Sequence, residues 1–465
     1  MAVTPGAPPP SLPAHPDPRL DAVLRGGLPH RLAHAFGGPF HLLLPDRFDA
    51  NAAAFHTALA DSGVEGRVHY AKKANKAAVW IERCAINGTG VDVASLGELR
   101  EALGHGVRGE DIVVTGPAKA DDLLRTAVLH GCLLTVDALD ELDRVTALAA
   151  ATRPARLLLR RRPPAARYSR FGLDDTELAF ALRTCAAAAG TVRTEGFSFH
   201  LTGYATRPRA DLAGELVDLC LTARTMGLPA DRIGIGGGFA VDYAAAADWE
   251  RFLARQGPDD YHAGKSFPAA AFYPYHSPVA GADALREILA TRPGGRGAPL
   301  ADRLRAAGIT LLTEPGRALL DRAGCTVFRV QGVKDRSGYA ILTVDGTSLS
   351  LSEQWFGSEY LPDPVLLPAG DRPVGGRPAG DRPAGRPVRA CVGGATCLET
   401  DLLTWRKVAF PARPEPGDLL VYPNTAGYQM DSNESPFHDL PLPPKVVVDT
   451  ADGRVRWRLD RRPAR

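Results

Sequence analysis

Three lysines fall within five positions in "HYAKKANK" (residues 69–76), in a chain whose basic positions are otherwise almost all arginine. A shielded amine can lose its proton and condense with an aldehyde to a Schiff base, which a guanidinium cannot do. The β-prone residues before them place the lysines at a strand end. Alternation there puts Tyr70 and Lys72 on one face and Ala71 and Lys73 on the other, so only one of the adjacent pair can face a site. Taken alone, solvated lysines are the commoner use of such a pattern. Other residues with chemical potential follow in order. "VDVASLGEL" carries Asp92 and Glu98, "FSFHLTGY" has the strand-end His200, and "TEPGRALL" joins Glu314 to Arg317. "GIGGGFAVDY" sets Gly236, Gly237 and Gly238 after a strand, where backbone N–H groups can approach a phosphate because no Cβ intervenes. A dinucleotide fingerprint fails there on spacing, since Phe239 occupies its third glycine position.

These residues need strand ends to hold them. Short apolar runs alternate with alanine-rich amphipathic segments from about residue 40 to 320: "FHLLL" (40–44), "VHYA" (68–71), "VDVA" (91–94), "DIVVTG" (111–116), "CLLTVD" (132–137), "ARLLLR" (155–160), "GFSFHL" (196–201), "RIGIGG" (232–237) and "TLLTEP" (310–315). Such alternation predicts a parallel sheet, and eight or so units suggest a closed (β/α)8 barrel, with an open doubly wound sheet as the alternative. The chemical residues fall at the C-terminal strand ends, where barrel active sites are built. After residue 320, "CTVFRVQGVKD", "YAILTVDG", "LLVYP" and "KVVVDT…RVRWRL" read as antiparallel strands of a second, β-rich domain. The expected division is a proline-rich disordered start (1–20), a barrel (40–320), and a β domain made of 21–39 with 321–465. Residues 244–280 read as an aromatic-rich loop or lid, and 368–388 as a disordered Gly/Pro/Arg repeat.

Tyr70-Ala71-Lys72-Lys73-Ala74-Asn75 resembles the "YAxKAN" signature of the fold-type-III pyridoxal-phosphate (PLP) enzymes. This family includes ornithine, arginine and diaminopimelate decarboxylases, with alanine racemase as a more distant relative. The later motifs follow the family's order over roughly residues 40–445. The resemblance implies an alanine-racemase-like barrel with a mostly antiparallel β domain, PLP as cofactor, and Lys73 as the lysine that holds it. It places Asp92 and Glu98 beside that lysine, and His200 against the pyridine ring. Arg160, from "LLLRRRP…SRFGL", would lie near the phosphate or the substrate carboxylate. Glu314 would sit at the pyridine nitrogen, and Gly236–Gly238, Arg317 and Tyr428 (in "PNTAGYQM") at the phosphate. Where alanine racemases place an arginine at that nitrogen, a carboxylate keeps the ring a strong electron sink, which leans towards decarboxylation.

"GGATCLETDLL" resembles the decarboxylases' "GPxCxxxD", matching Cys397 and Asp401. In the family this cysteine reaches the neighbouring subunit's site and protonates the carbanion, which implies a homodimer with shared active sites. Asp345 corresponds to an acidic residue on the substrate side. The chain departs from the pattern at two places. Thr202 and Gly203 stand where the family has Gly-Ser after the histidine. Leu398 occupies the position at which basic-substrate decarboxylases carry an acid for the distal amine, with Glu399 next to it. A leucine cannot pair with an ammonium, and leaving that charge dry costs several kcal/mol, on the order known for buried unpaired ions. Either Glu399 serves by a one-residue shift, or the substrate, free or carrier-bound, has no simple distal amine.

Bulk properties exclude other classes. A formal net charge of +2, with basic residues scattered, gives no reason to expect nucleic acid or a membrane surface as partner. Seven cysteines without CxxC or Cys/His spacing argue against a disulfide framework and a zinc site. The start lacks a signal-peptide pattern and no apolar run would span a bilayer, so the expectation is a cytoplasmic protein without a metal. The rivals to a decarboxylase are an epimerase or racemase on the same scaffold, and a catalytically silent homologue that binds a partner protein.

Overall fold

The computed structural model describes residues 10–352, 358–369, 387–450 and 454–460. Its first strand, β1 (Phe40–Leu43), is fully buried. Eight strands then close into a parallel barrel: β2 (Gly66–Ala71), β3 (Gly90–Val93), β4 (Ile112–Val114), β5 (Leu133–Val136), β6 (Ala155–Arg160), β7 (Val192–Ser198), β8 (Arg232–Gly234) and β9 (Thr310–Thr313). Closure is made by β2 pairing with β9, Gly66 opposite Leu311. The expected (β/α)8 barrel is therefore present. Its strands read as continuous apolar runs because barrel strands are covered on both faces. Val113, Leu133, Leu158 and Leu312 from four different strands fill the barrel interior.

The strand expected to open the barrel does not belong to it. β1 pairs antiparallel with β10 (Gly324–Arg336), Phe40 opposite Val327, and parallel with the later strand Lys445–Asp449. A short apolar run fits a barrel or a buried sheet centre equally well, so periodicity could not separate the two. The second sheet continues through β11 (Tyr339–Val344), β12 (Val365–Leu367), β13 (Val388–Gly393), β14 (Leu402–Phe410), β15 (Leu419–Tyr422), β16 (Lys445–Asp449) and β17 (Arg456–Leu459). Most of its pairings are antiparallel, as expected; β1 with β16 and β11 with β13 are parallel.

Contacts group the chain into two compact units. One is Phe48–Ala240 with Val279–Leu319, which holds the barrel; the other takes the residues up to Arg47, Val241–Pro278 and Leu320–Asp460. In the sheet unit, helices Pro18–Arg25 and Leu28–Phe36 lay Leu20, Val23, Leu28 and Leu32 on Phe40, Leu42, Val327, Val421 and Val446. Residues 10–20, expected to be disordered, are ordered there. Leu12 is buried with its N–H on Asp363 Oδ2 at 3.0 Å, and Asp17 caps the first helix through Arg19 N and Leu20 N. Residues 1–9 lie outside the described residues, as does nearly all of the 368–388 repeat.

The aromatic segment expected as a loop or lid also belongs to this unit's packed interior. Tyr243, Tyr273 and Tyr275 form edge-to-face contacts with each other, Tyr243 and Tyr275 also with Tyr360. His262 Nδ1 meets Tyr339 Oη at 2.8 Å, and Leu361 donates its N–H to Tyr275 Oη at 3.2 Å. Its rings are spent on a core, which is why so many aromatics occur in one irregular stretch. No helix among the described residues is long and apolar enough to cross a membrane.

Candidate active site

The "YAKKAN" turn separates its two lysines. β2 ends at Ala71, and residues Lys72–Ala74 form one 3-10 turn. Tyr70 Oη donates to the Asn75 carbonyl at 3.0 Å, and Asn75 Oδ1 accepts from Ala77 N at 2.9 Å, so both ends of the turn are tied. Tyr70 is in turn wedged edge-on against Phe48, which stacks on Trp80. Lys72 is 1% exposed, with its Nζ 3.0 Å from Glu101 Oε2. Lys73 is exposed, and its charge acts on Asp92, His200 and Glu314. One lysine is structural and the other faces the strand ends.

Around Lys73 the barrel collects buried ionisable groups. Asp92, at the end of β3, accepts from Thr115 Oγ1 at 2.6 Å. Burial pushes its carboxyl upward, opposed by the Lys73 charge and the Thr115 hydrogen bond. Glu314, just past β9, is 8% exposed. Burial first, and the charge of Asp92 second, raise it to about 8, against the pull of Lys73 and Arg160. Among the described residues its carboxylate has no hydrogen-bond partner. Arg160 closes β6 with Nη1 on Asp137 Oδ1 at 2.9 Å and its guanidinium 4.5 Å from the Phe171 ring centre. Desolvation, with the charges of Lys73, Arg160 and Arg209, holds His200 at about 3, so its ring is neutral at physiological pH. A neutral flat ring suits stacking.

The glycine loop runs against this group. Gly236 and Gly238 have φ of +64° and +80°. A Cβ on Gly237 would stand 2.7 Å from the Glu314 carbonyl oxygen, and one on Gly236 2.5 Å from His200 Nδ1. Arg209, in the first turn of helix Thr206–Thr225, fixes the loop. Its guanidinium donates to the carbonyls of Gly237 (3.1 Å), Ala205 (2.9 Å), Leu201 (3.1 Å) and Gly203 (2.8 Å). Burial lowers it to about 10. Arg317 is buried at the start of the turn after Glu314.

Glu98 has a local task. Its carboxylate accepts from Ala94 N at 2.8 Å, and its own N–H is capped by Ser95 Oγ, the N-cap of helix Leu96–Gly104. Sequence reasoning missed Thr115, Asp137 and Arg209. Their partners lie 23 or more residues away or on backbone carbonyls, and no motif marks them. Lys119 and Glu141, a buried pair at 3.1 Å between the loop after β4 and helix Leu139–Ala150, were missed for the same reason.

The remaining expected residues lie in the sheet unit. Asp401 accepts from Ser348 N (2.8 Å), Thr396 Oγ1 (2.7 Å) and Thr396 N (3.3 Å), and so shapes the turn that displays Cys397. Gly394 lies so close that any Cβ there would strike the Asp401 carboxylate. Cys397, Leu398 and Glu399 are exposed, Leu398 by 52%. Asp345 accepts from Arg329 N at 2.9 Å, with burial raising it to about 6. Tyr428 adopts φ of +75°, rare for a non-glycine residue.

A closed parallel barrel with a lysine, two buried carboxyls and a glycine loop at its strand ends, plus a mostly antiparallel sheet, defines a pyridoxal-phosphate enzyme scaffold. The family model for "Pyridoxal-dependent decarboxylase, pyridoxal binding domain" matches residues 46–254. The chain is 39% identical over 421 residues to the uncharacterized protein y4yA of Sinorhizobium fredii, covering 90% of this chain and 89% of that protein. It is 28% identical to a diaminopimelate decarboxylase of Actinosynnema pretiosum, with 94% and 90% covered. The fold matches that of a solved structure, a diaminopimelate decarboxylase from M. jannaschii in complex with L-lysine, at a TM-score of 0.69 and 19% identity, covering 93% of this chain and 91% of that one. The chain belongs to the fold-type-III PLP-dependent decarboxylase family, as an enzyme of the carboxy-lyase class with PLP as its cofactor.

The residues present fit that cofactor. A buried carboxyl raised to about 8 and lacking a partner is matched to a ring N–H⁺, and a Cβ-free loop leaves its N–H groups open to phosphate.

Proposed function

We propose that the protein removes the α-carboxylate of a small amino acid as carbon dioxide, working in the cytoplasm as a homodimer that shares its active sites. The observation that carries this reading is the division of labour at the turn. Glu101 holds Lys72, while the charge of Lys73 acts on Asp92, His200 and Glu314. Bound PLP supplies the sink for the electron pair left when the carboxylate departs. Lys73 would hold the cofactor through its amine, and Glu314 would keep the ring nitrogen protonated. His200 would lie against the ring, and Asp92 would balance the Lys73 charge. Gly236–Gly238 and Arg317 would bind the phosphate, to which the family resemblance adds Tyr428, with Arg160 oriented by Asp137 towards an anionic group. Cys397 delivers a proton to the substrate carbon in the neighbouring subunit's site.

Its exposure in a single chain, on a turn braced by Asp401, supports a role in trans. Asp345, Glu399 and Asp401 form the substrate side, with Asp401 acting through the turn it holds. Leu398 at the distal-amine position favours a substrate without a simple distal ammonium. All seven cysteines are free and six are buried, which suits a reducing compartment. The test is a screen of amino acids for carbon dioxide release, with the product identified by mass. Proton exchange at Cα without carbon dioxide would replace this reading with an epimerase.

A further inference from the structure

Cys397 is not alone on its turn. His438 Nε2 stands 3.2 Å from its Sγ and accepts a hydrogen bond from its backbone N–H at 3.5 Å. The two residues are 41 positions apart and come from separate loops of the sheet unit. The cysteine turn is held by Asp401. The histidine sits in the turn Phe437–Asp439, with His438 itself at φ +60° and its ring 4.4 Å from that of Phe437. Of the chain's cysteines, Cys397 alone is exposed, so the imidazole lies beside the one thiol open to small molecules. The acids adjacent to the pair in sequence are Glu399 and Asp439, one on each loop, with Asp401 occupied by Ser348 and Thr396.

We propose that His438 is the proton partner of Cys397, a positioning residue that acts through the thiol. The inference rests on the reading of Cys397 as proton donor and adds a source for its proton. When Sγ–H protonates the substrate carbon that has lost carbon dioxide, the S–H bond breaks, a C–H bond forms, and sulfur keeps the electron pair. Nε2, which accepts the Cys397 N–H in the resting arrangement, takes up a proton from solvent and passes it to sulfur, which restores Sγ–H and the neutral ring. Without it, the thiolate must wait for solvent, and each turnover ends on a slower step.

The test is the rate at which iodoacetamide, a reagent of amino-acid size, alkylates Cys397 in the full-length holoenzyme between pH 6 and pH 10, followed by mass. His438→Asn is the variant of choice, because asparagine tolerates the left-handed backbone that this position adopts. At pH 7 the wild type is expected to react about tenfold faster than His438→Asn, the difference vanishing near pH 10, where a thiol ionises unaided. Superimposable profiles would overturn the proposal. Cys397→Ser separates it from the reading beneath. Lost product formation in Cys397→Ser, together with superimposable alkylation profiles, removes His438 only. Unchanged product formation in Cys397→Ser removes the donor role and the proposal with it.

Discussion

The barrel's strand ends and the Cys397 turn are built on opposite principles. At the strand ends, Asp92 and Glu314 are buried and their carboxyls stand raised by desolvation, while His200 is held neutral by the same cause. The Cys397 turn is exposed, carries no buried charge at its tip, and owes its shape to a single aspartate. Burial amplifies electrostatics, so the first region can set the protonation of a bound ring; exposure leaves the second free to meet another molecule. On the proposed function, the enclosed region would serve the cofactor and the open one the substrate.

The sharpest way to break this comparison lies within the two adjacent lysines. Lys73→Ala is expected to lower decarboxylation by at least about 10³-fold, as for other residues that act covalently, and to abolish the cofactor's visible absorbance band. Lys72→Met should keep the band and instead lose stability, on the order of 3–5 kcal/mol, because Glu101 is left without its buried partner. Absorbance spectra and denaturant titrations of the two variants decide the matter; a coloured Lys73→Ala protein would reassign the site.

Glu314 tests whether burial governs the strand ends. Its folded-state value of about 8 lies above the ordinary range near 4.3, so the folded apoprotein binds a proton that the unfolded chain releases. This contribution to stability is fully present below about pH 4 and is lost as pH rises through 8. The loss has an upper bound of roughly 4–5 kcal/mol, at 1.36 kcal/mol per unit. Glu314→Gln apoprotein should therefore match the wild type near pH 4 and exceed it at pH 8.5. Adding PLP should stabilise the wild type more than the variant at pH 8.5, since the ring N–H⁺ supplies the missing partner. Parallel melting curves across that range would contradict the account.

How much of this was legible follows from the same contrast. The barrel could be read because each strand end carries a short contiguous motif, and contiguous signals survive in one sequence. Asp92, His200 and Glu314 lie at those ends, each within reach of the Lys73 charge. The choice between Lys72 and Lys73 followed from alternation only after the motif named the face, and Glu101, which enforces it, was not visible. β1 was misplaced because four buried apolar residues do not say which sheet buries them. The 244–280 segment reads as a loop or lid in sequence because its partners, Tyr339, Tyr360 and Leu361, lie about 80 or more residues downstream. Arg209 was one arginine among many, and its distinction, four backbone carbonyls, exists only once two loops have folded.

The smallest expected effect concerns the exposed turn. Asp401 matches a family position on the substrate side, yet its oxygens are occupied by Ser348 N, Thr396 N and Thr396 Oγ1. If bracing is its task, Asp401→Ala should cost about 2 kcal/mol of stability, as for a lost set of charge-assisted hydrogen bonds. The alkylation rate of Cys397 should change with it, because the turn no longer holds the thiol against His438. Asp401→Asn keeps one amide oxygen as acceptor and should recover part of both. A residue that touched substrate alone would behave otherwise: KM would rise with stability and thiol reactivity unchanged. Comparing the three readouts in the two variants separates a brace from a ligand. A brace would mean that even the open region owes its chemistry to a carboxylate withdrawn from solvent.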